Sequence, residues 1–236
     1  MTAWSMAQPF VTTHFNTEAG TTHAMIDVKI CGLSTPEAVR AALDGRAAFI
    51  GFMFFAKSPR DIAPDLAARL AAPVRGRAKV VAVTVDPDDA ALDRITAILK
   101  PDLIQLHGGE TPQRAAQIAA RTGAGVIKAL PVSESRDLDA ANAFDGLVDH
   151  LMFDAKPPKD ADRPGGGGAA FDWTLLSGRR FERPWFLAGG LDPWNLAEAV
   201  RASGAPLIDV SSGVERGAGL KDPGLISAFL DAARRG

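Results

Sequence analysis

One cysteine and a small set of acids, glycines and basic residues carry what chemistry this chain can do. Cys31 closes the run Val28-Lys29-Ile30-Cys31, and Asp154 closes Leu151-Met152-Phe153-Asp154. A thiol and a carboxyl that flank one bound molecule supply a base and an acid for proton transfer. Taken alone, a cysteine is as a rule a small buried apolar residue, so any catalytic reading of Cys31 depends on its surroundings. An acid that ends an apolar run, as Asp154 does, costs stability unless something holds it. Asp209, inside Ile208-Asp209-Val210, asks for a partner for the same reason. Arg60 follows Ser58-Pro59, where a guanidinium can grip a carboxylate or phosphate through two parallel hydrogen bonds, or else be solvated. In Gln105-Leu106-His107, Gln105 and His107 are candidate pocket-lining hydrogen bonders; no second histidine or cysteine lies at ligand spacing from His107, so no metal site is expected. Gly189-Gly190 and Ser212-Gly213 each form a turn that can present backbone N–H groups to a phosphate without obstruction by Cβ atoms.

These residues share a position: each lies at or just beyond the end of a strand candidate. From Ile26 onward, short β-branched runs alternate with alanine-rich amphipathic stretches, with strands expected at 27–31, 49–54, 79–84, 103–106, 126–130, 151–154, 185–188 and 207–210. Most are apolar on both faces, as in a parallel sheet covered on both sides. Helix starts are marked by Ser34-Thr35-Pro36-Glu37, Glu110-Thr111-Pro112, Leu191-Asp192-Pro193-Trp194-Asn195 and Asp222-Pro223. The strand-to-strand spacing suits right-handed βαβ units. Eight such units predict a closed (β/α)₈ barrel, an α/β fold, with an open doubly wound sheet as the alternative. In such a barrel the functional groups gather at the C-terminal ends of the strands, and a phosphate site is usual at the loops after the seventh and eighth.

The chain of 236 residues fits one barrel domain over 26–236, preceded by a polar, poorly ordered extension over 1–25. That extension lacks the basic start and apolar core of a secretory signal, which favours a cytoplasmic protein. A stretch from Ala155 to Pro164 followed by glycine at 165–168 is too irregular for an ordinary connection; it reads as an active-site lid or as a surface insertion. A formal net charge of −2 without basic blocks gives no support to nucleic-acid or anionic-membrane binding. The longest apolar stretches are strand-sized, well short of the roughly 20 residues of a bilayer span. A lone cysteine forms no intramolecular disulfide. Trp173, Trp185 and Trp194 read as packing residues, since nothing pairs them as a stacking platform.

In order along the chain, Val28-Lys29-Ile30-Cys31-Gly32, Gly51-Phe52-Met53-Phe54, Ser58-Pro59-Arg60, Leu103-Ile104-Gln105-Leu106-His107-Gly108, Phe153-Asp154, Phe171-Asp172-Trp173, Leu187-Ala188-Gly189-Gly190-Leu191 and Asp209-Val210-Ser211-Ser212-Gly213-Val214-Glu215 resemble the phosphoribosylanthranilate isomerase family. The likeness runs from Val28 to the C-terminus. It implies that Cys31 is the general base and Asp154 the general acid, that Arg60 and Asp209 contact the anthranilate or sugar, and that Gly190, Ser212 and Gly213 bind phosphate. The family usually carries Gly-Gly-Thr-Gly where 165–168 are all glycine here, so a threonine contact is missing and the loop is expected to be more mobile.

The implied reaction is the Amadori rearrangement of N-(5-phosphoribosyl)anthranilate to 1-(2-carboxyphenylamino)-1-deoxyribulose 5-phosphate in tryptophan biosynthesis. Its iminium serves as electron sink, so no cofactor is expected; the partner is the small-molecule substrate, and the chain is a monomer or homodimer. A free thiol is only a few per cent ionised at neutral pH, so the resemblance also predicts that the site stabilises a Cys31 thiolate, through Lys29 or backbone donors. The alternatives are another phosphosugar barrel (a histidine-pathway aminoaldose isomerase or an indole-3-glycerol-phosphate synthase) and a non-catalytic phosphate-ligand-binding barrel. The first typically uses two aspartates and two phosphate sites, and the second a lysine and glutamates inside the barrel. The non-catalytic barrel has no use for a facing acid and thiol.

Overall fold

In the computed structural model, which describes residues 26–156 and 170–235, eight parallel strands close into a barrel in sequence order. They are β1 (Asp27–Cys31), β2 (Phe49–Phe54), β3 (Lys79–Thr84), β4 (Leu103–Leu106), β5 (Gly125–Val132), β6 (His150–Ala155), β7 (Trp185–Leu187) and β8 (Leu207–Val210). β1 pairs with both β2 and β8, so the sheet has no edge and the open doubly wound alternative is excluded. The expected extension over 1–25 and most of the glycine-rich segment lie outside the described residues.

Helices α1 (Pro36–Asp44), α2 (Pro64–Ala71), α3 (Asp89–Leu99), α4 (Pro112–Thr122), α5 (Leu196–Ser203) and α6 (Pro223–Arg235) cover the outside. Thr35 and Thr111 cap α1 and α4 with their side chains, each followed by proline at the first helical position, as the sequence predicts. Before α5 the signal misleads. The helix begins only at Leu196, and Asp192 instead accepts from Trp194 N at 2.8 Å and Asn195 N at 2.9 Å to close a separate turn. Between β5 and β6 the chain forms a 3₁₀ stretch, Ser135–Ala143, in place of an α-helix. Its serine, aspartates and asparagine compete for backbone groups and disfavour a regular helix.

Alternation along the strands sorts the residues. Val28, Ile30, Ile50, Phe52, Ile104 and Ile208 face outward and join the helices in the larger apolar cluster. Cys31, Val81, Val83, Ile127, Met152 and Phe186 face inward and fill the barrel. The same period turns Lys29, Gln105, Asp154 and Asp209 toward the barrel axis, each two residues from inward Cys31, Leu103, Met152 or Leu207. Near the C-terminal end of the barrel, inward Cys31, Gln105, Asp154 and Asp209 share one cavity, while inward His150 lies at the other end against Phe49 and Phe186.

The tryptophans divide. Trp185 packs edge-on to Phe153 and Phe181, and Trp173 lies half-buried against the core. Trp194 is 79% exposed, so its reading as a packing residue is corrected: with α5 starting after it, the side chain stands on the preceding turn, outside the packing of the described residues. Among the described residues no helix is long and apolar enough to cross a membrane.

Candidate active site

A cavity of about 470 Å³ opens at the C-terminal ends of the strands, within the size range of small-molecule sites. Cys31, Arg60, Gln105, His107, Asp154 and Asp209 all line it, together with Gly189, Gly190 and Ser212. Gly213 stands just behind: its backbone packs so closely against the Leu191 carbonyl that a Cβ would lie 1.9 Å from the oxygen. That contact locks the turns after β7 and β8 together. Asn195 stiffens the first of them, with Nδ2 donating to Gly190 O at 2.8 Å.

The β1–β8 side of the mouth is charged. Strand register sets Lys29 beside Asp209, and Lys29 Nζ donates to Asp209 Oδ1 at 2.7 Å with both side chains buried. This pair answers the need for a partner that an acid on an apolar strand creates. The Lys29 ammonium also faces the Cys31 thiol. Gly51 makes room for both, since a Cβ there would lie 3.2 Å from Lys29 Nζ and 3.3 Å from Cys31 Sγ.

The expectation that the site lowers the thiol's pKa is not met. Burial pushes Cys31 up, and this outweighs the downward pull of Lys29 and Lys221; Asp209 adds to the rise. The cations needed for a thiolate are in place, but desolvation wins.

Arg60 does grip a carboxylate, though one from the protein itself. Its Nε and Nη2 donate to Glu215 Oε1 and Oε2 at 2.7 and 2.8 Å. Glu215 lies on a hairpin of β9 (Glu215–Gly217) and β10 (Leu220–Lys221) that follows the 3₁₀ turn Ser212–Val214. Burial alone would raise the Glu215 carboxyl, but Arg60 and Lys221 hold it below the usual carboxylate range. Lys221 Nζ donates to Glu215 Oε1 at 2.7 Å and to Ser211 O at 2.7 Å.

On the opposite side, Asp154 Oδ1 accepts from Ala155 N at 2.8 Å, and its Oδ2 lies 3.2 Å from His107 Nε2. Gln105 Nε2 lies 2.8 Å from His107 Nδ1, so amide and ring are linked beside the aspartate. Gln105 Oε1 is buried without a partner. Gly189 adopts φ +86°, and a Cβ there would lie 2.6 Å from Ala155 N and 2.8 Å from Asp154 Oδ1. Glycine at 189 is therefore what lets the β7 turn pass over the carboxyl.

Sequence reasoning placed Cys31, Asp154 and both glycine turns at one cavity. It passed over Lys221, and it met Ser211 and Glu215 only as parts of a longer motif. A lysine two residues before a helix-starting proline carries no mark of burial; only the closed hairpin reveals it.

Comparison with known proteins bears on this arrangement. The family model for N-(5'-phosphoribosyl)anthranilate isomerase matches residues 28–232. The N-(5'-phosphoribosyl)anthranilate isomerase of Caulobacter vibrioides is 68% identical over 208 residues, covering 88% of this chain and 95% of that one. The crystal structure of phosphoribosyl anthranilate isomerase from Thermotoga maritima superposes with a TM-score of 0.79 at 33% identity, covering 90% of this chain and 100% of that one. A crystal structure of the isomerase in complex with reduced 1-(o-carboxyphenylamino)-1-deoxyribulose 5-phosphate superposes with a TM-score of 0.75 at 30% identity, with the same coverage.

Proposed function

Given that the chain belongs to the N-(5'-phosphoribosyl)anthranilate isomerase family and is an aldose–ketose isomerase of tryptophan biosynthesis, we propose that Cys31 and Asp154 are its base and acid. Asp154 protonates the furanose ring oxygen of N-(5-phosphoribosyl)anthranilate, and the ring opens to a protonated Schiff base. Cys31, as thiolate, removes the proton from C2′; electrons move into the iminium, giving an enolamine that tautomerises to the aminoketose. The observation that carries this reading is a single cavity lined by the thiol, the carboxyl and both glycine turns.

The phosphate sits at the turns after β7 and β8, against the N–H groups of Gly189, Gly190, Ser212 and Gly213. Arg60 offers its remaining guanidinium donors to the anthranilate carboxylate. Gln105, His107 and Asp209 complete the pocket around the sugar. The catalytic unit is the barrel over 26–236, working in the cytoplasm.

Steady-state kinetics of Cys31→Ser and Asp154→Asn test the assignment. Each is expected to lower kcat by about 10²–10⁴-fold, with the fold kept by circular dichroism. Near wild-type turnover by either variant sinks that residue's role.

A further inference from the structure

The reaction as described gives no part to Lys221. Lys221 stands on the hairpin after β8 with a side chain 1% exposed. An ammonium so placed loses its hydration and needs compensation. Glu215 supplies a single negative charge, yet that carboxylate is already held by both oxygens on Arg60. The trio of Arg60, Glu215 and Lys221 therefore keeps one uncompensated positive charge. The neighbouring Lys29–Asp209 pair is balanced.

The excess charge lies beside Cys31. Lys221 Nζ donates to Ser211 O at 2.7 Å and approaches Ser211 Oγ at 3.2 Å, and Ser211 Oγ donates to the Cys31 carbonyl at 3.3 Å. One residue thus bridges the ammonium to the backbone of the thiol. The charged groups packed around Cys31 are Lys29 from β1, Asp209 from β8, Arg60 from the loop after β2, and Glu215 and Lys221 from the hairpin. Asp154 and His107 face it across the mouth, and Arg216 stands exposed at the rim.

Resting on the reading of Cys31 as the base, we propose that Lys221 is a positioning residue for it: a buried ammonium whose uncompensated charge balances the thiolate once the thiol has released its proton to solvent. The hairpin does two jobs through one network, holding Arg60 through Glu215 while bringing the counter-charge to the base. Electrostatics runs in the same direction, since Lys221 draws the Cys31 thiol down and the thiolate draws Lys221 up, against the desolvation that depresses Lys221.

The composition makes the test clean. The chain has one cysteine and no tyrosine, so the ultraviolet thiolate band reports Cys31 without interference from phenolates. In Lys221→Met, the thiolate titration and the acid limb of kcat/KM are both expected to move up by about one pH unit or more. Lys221→Arg, which keeps the charge, should restore both. Glu215→Gln, which removes the competing anion, should move both down. A purely structural lysine predicts otherwise: a raised KM in Lys221→Met with the titration unmoved, and that result overturns the proposal. Should Lys221→Met fail to fold, Glu215→Gln decides alone, and a titration that stays or rises refutes the idea. Failure of the underlying reading is separable, since active Cys31→Ser removes the base assignment whatever the titrations show.

Discussion

The two halves of the cavity mouth hold their reactive groups by different means. Around Cys31, from β1, β8 and the hairpin, stand Lys29, Lys221 and Arg60 against Asp209 and Glu215, mostly buried and tied by contacts of 2.7–2.8 Å. Around Asp154, from β4 and β6, stand Gln105, His107, a backbone N–H and the bare backbone of Gly189. A base that must become an anion in an apolar barrel needs counter-ions. An acid that must carry a proton to a ring oxygen is better served by hydrogen-bonding neighbours that fix its direction. The contrast follows from what each group has to do.

If the contrast holds, the halves respond differently to loss of one polar side chain. Lys29→Met strands a buried carboxylate and is expected to cost about 3–5 kcal/mol in denaturant unfolding. Gln105→Leu, on the acid side, removes an amide whose carbonyl already lacks a partner, and should stay within about 1 kcal/mol. Equal costs would erase the distinction.

Gly189→Ala strikes the acid's positioning without touching its chemistry. A positive φ costs an L-residue about 1–2 kcal/mol, and the added Cβ collides with Ala155 N and the Asp154 carboxyl. A displaced acid should lower kcat by about 10²-fold, with little change for Cys31 in a thiolate titration. Wild-type kcat would show that the carboxyl does not depend on this turn.

The pH profile sharpens the account of the base side. The thiolate is the active form, so kcat/KM rises with pH through the Cys31 pKa of the free enzyme. Burial raises that pKa, so the acid limb belongs above the range of a free thiol, about 8.5. A limb well below it would mean that the cations outweigh desolvation. The smallest effect is expected at Trp194, which belongs to neither half: Trp194→Ala should shift stability by less than about 0.5 kcal/mol, read by thermal melting.

Most of the frame was legible because parallel strands buried on both faces read as plain apolar runs. β1, β2, β3, β4 and β8 begin and end at the expected residues. Thr35-Pro36 and Thr111-Pro112 announced their helices because cap and proline are local signals. Asp192-Pro193 has the same spelling but closes a turn, since its side chain caps residues that never become helical. Cys31, Asp154 and the glycine turns were legible from strand ends. Lys221 and Glu215 were not, because a short hairpin folding back over the mouth carries no periodicity, and a lysine reads as solvated until its contacts are known.

The central claim is that base and acid act on one substrate from opposite sides of the mouth, Cys31 on C2′ and Asp154 on the ring oxygen. The most direct measurement is a crystal structure of this protein with reduced 1-(o-carboxyphenylamino)-1-deoxyribulose 5-phosphate. The account predicts the phosphate at the turns after β7 and β8, with C2′ within reach of Cys31 Sγ and the Asp154 carboxyl on the other side of the sugar. An analogue with C2′ remote from the sulfur, or with its phosphate elsewhere, contradicts it.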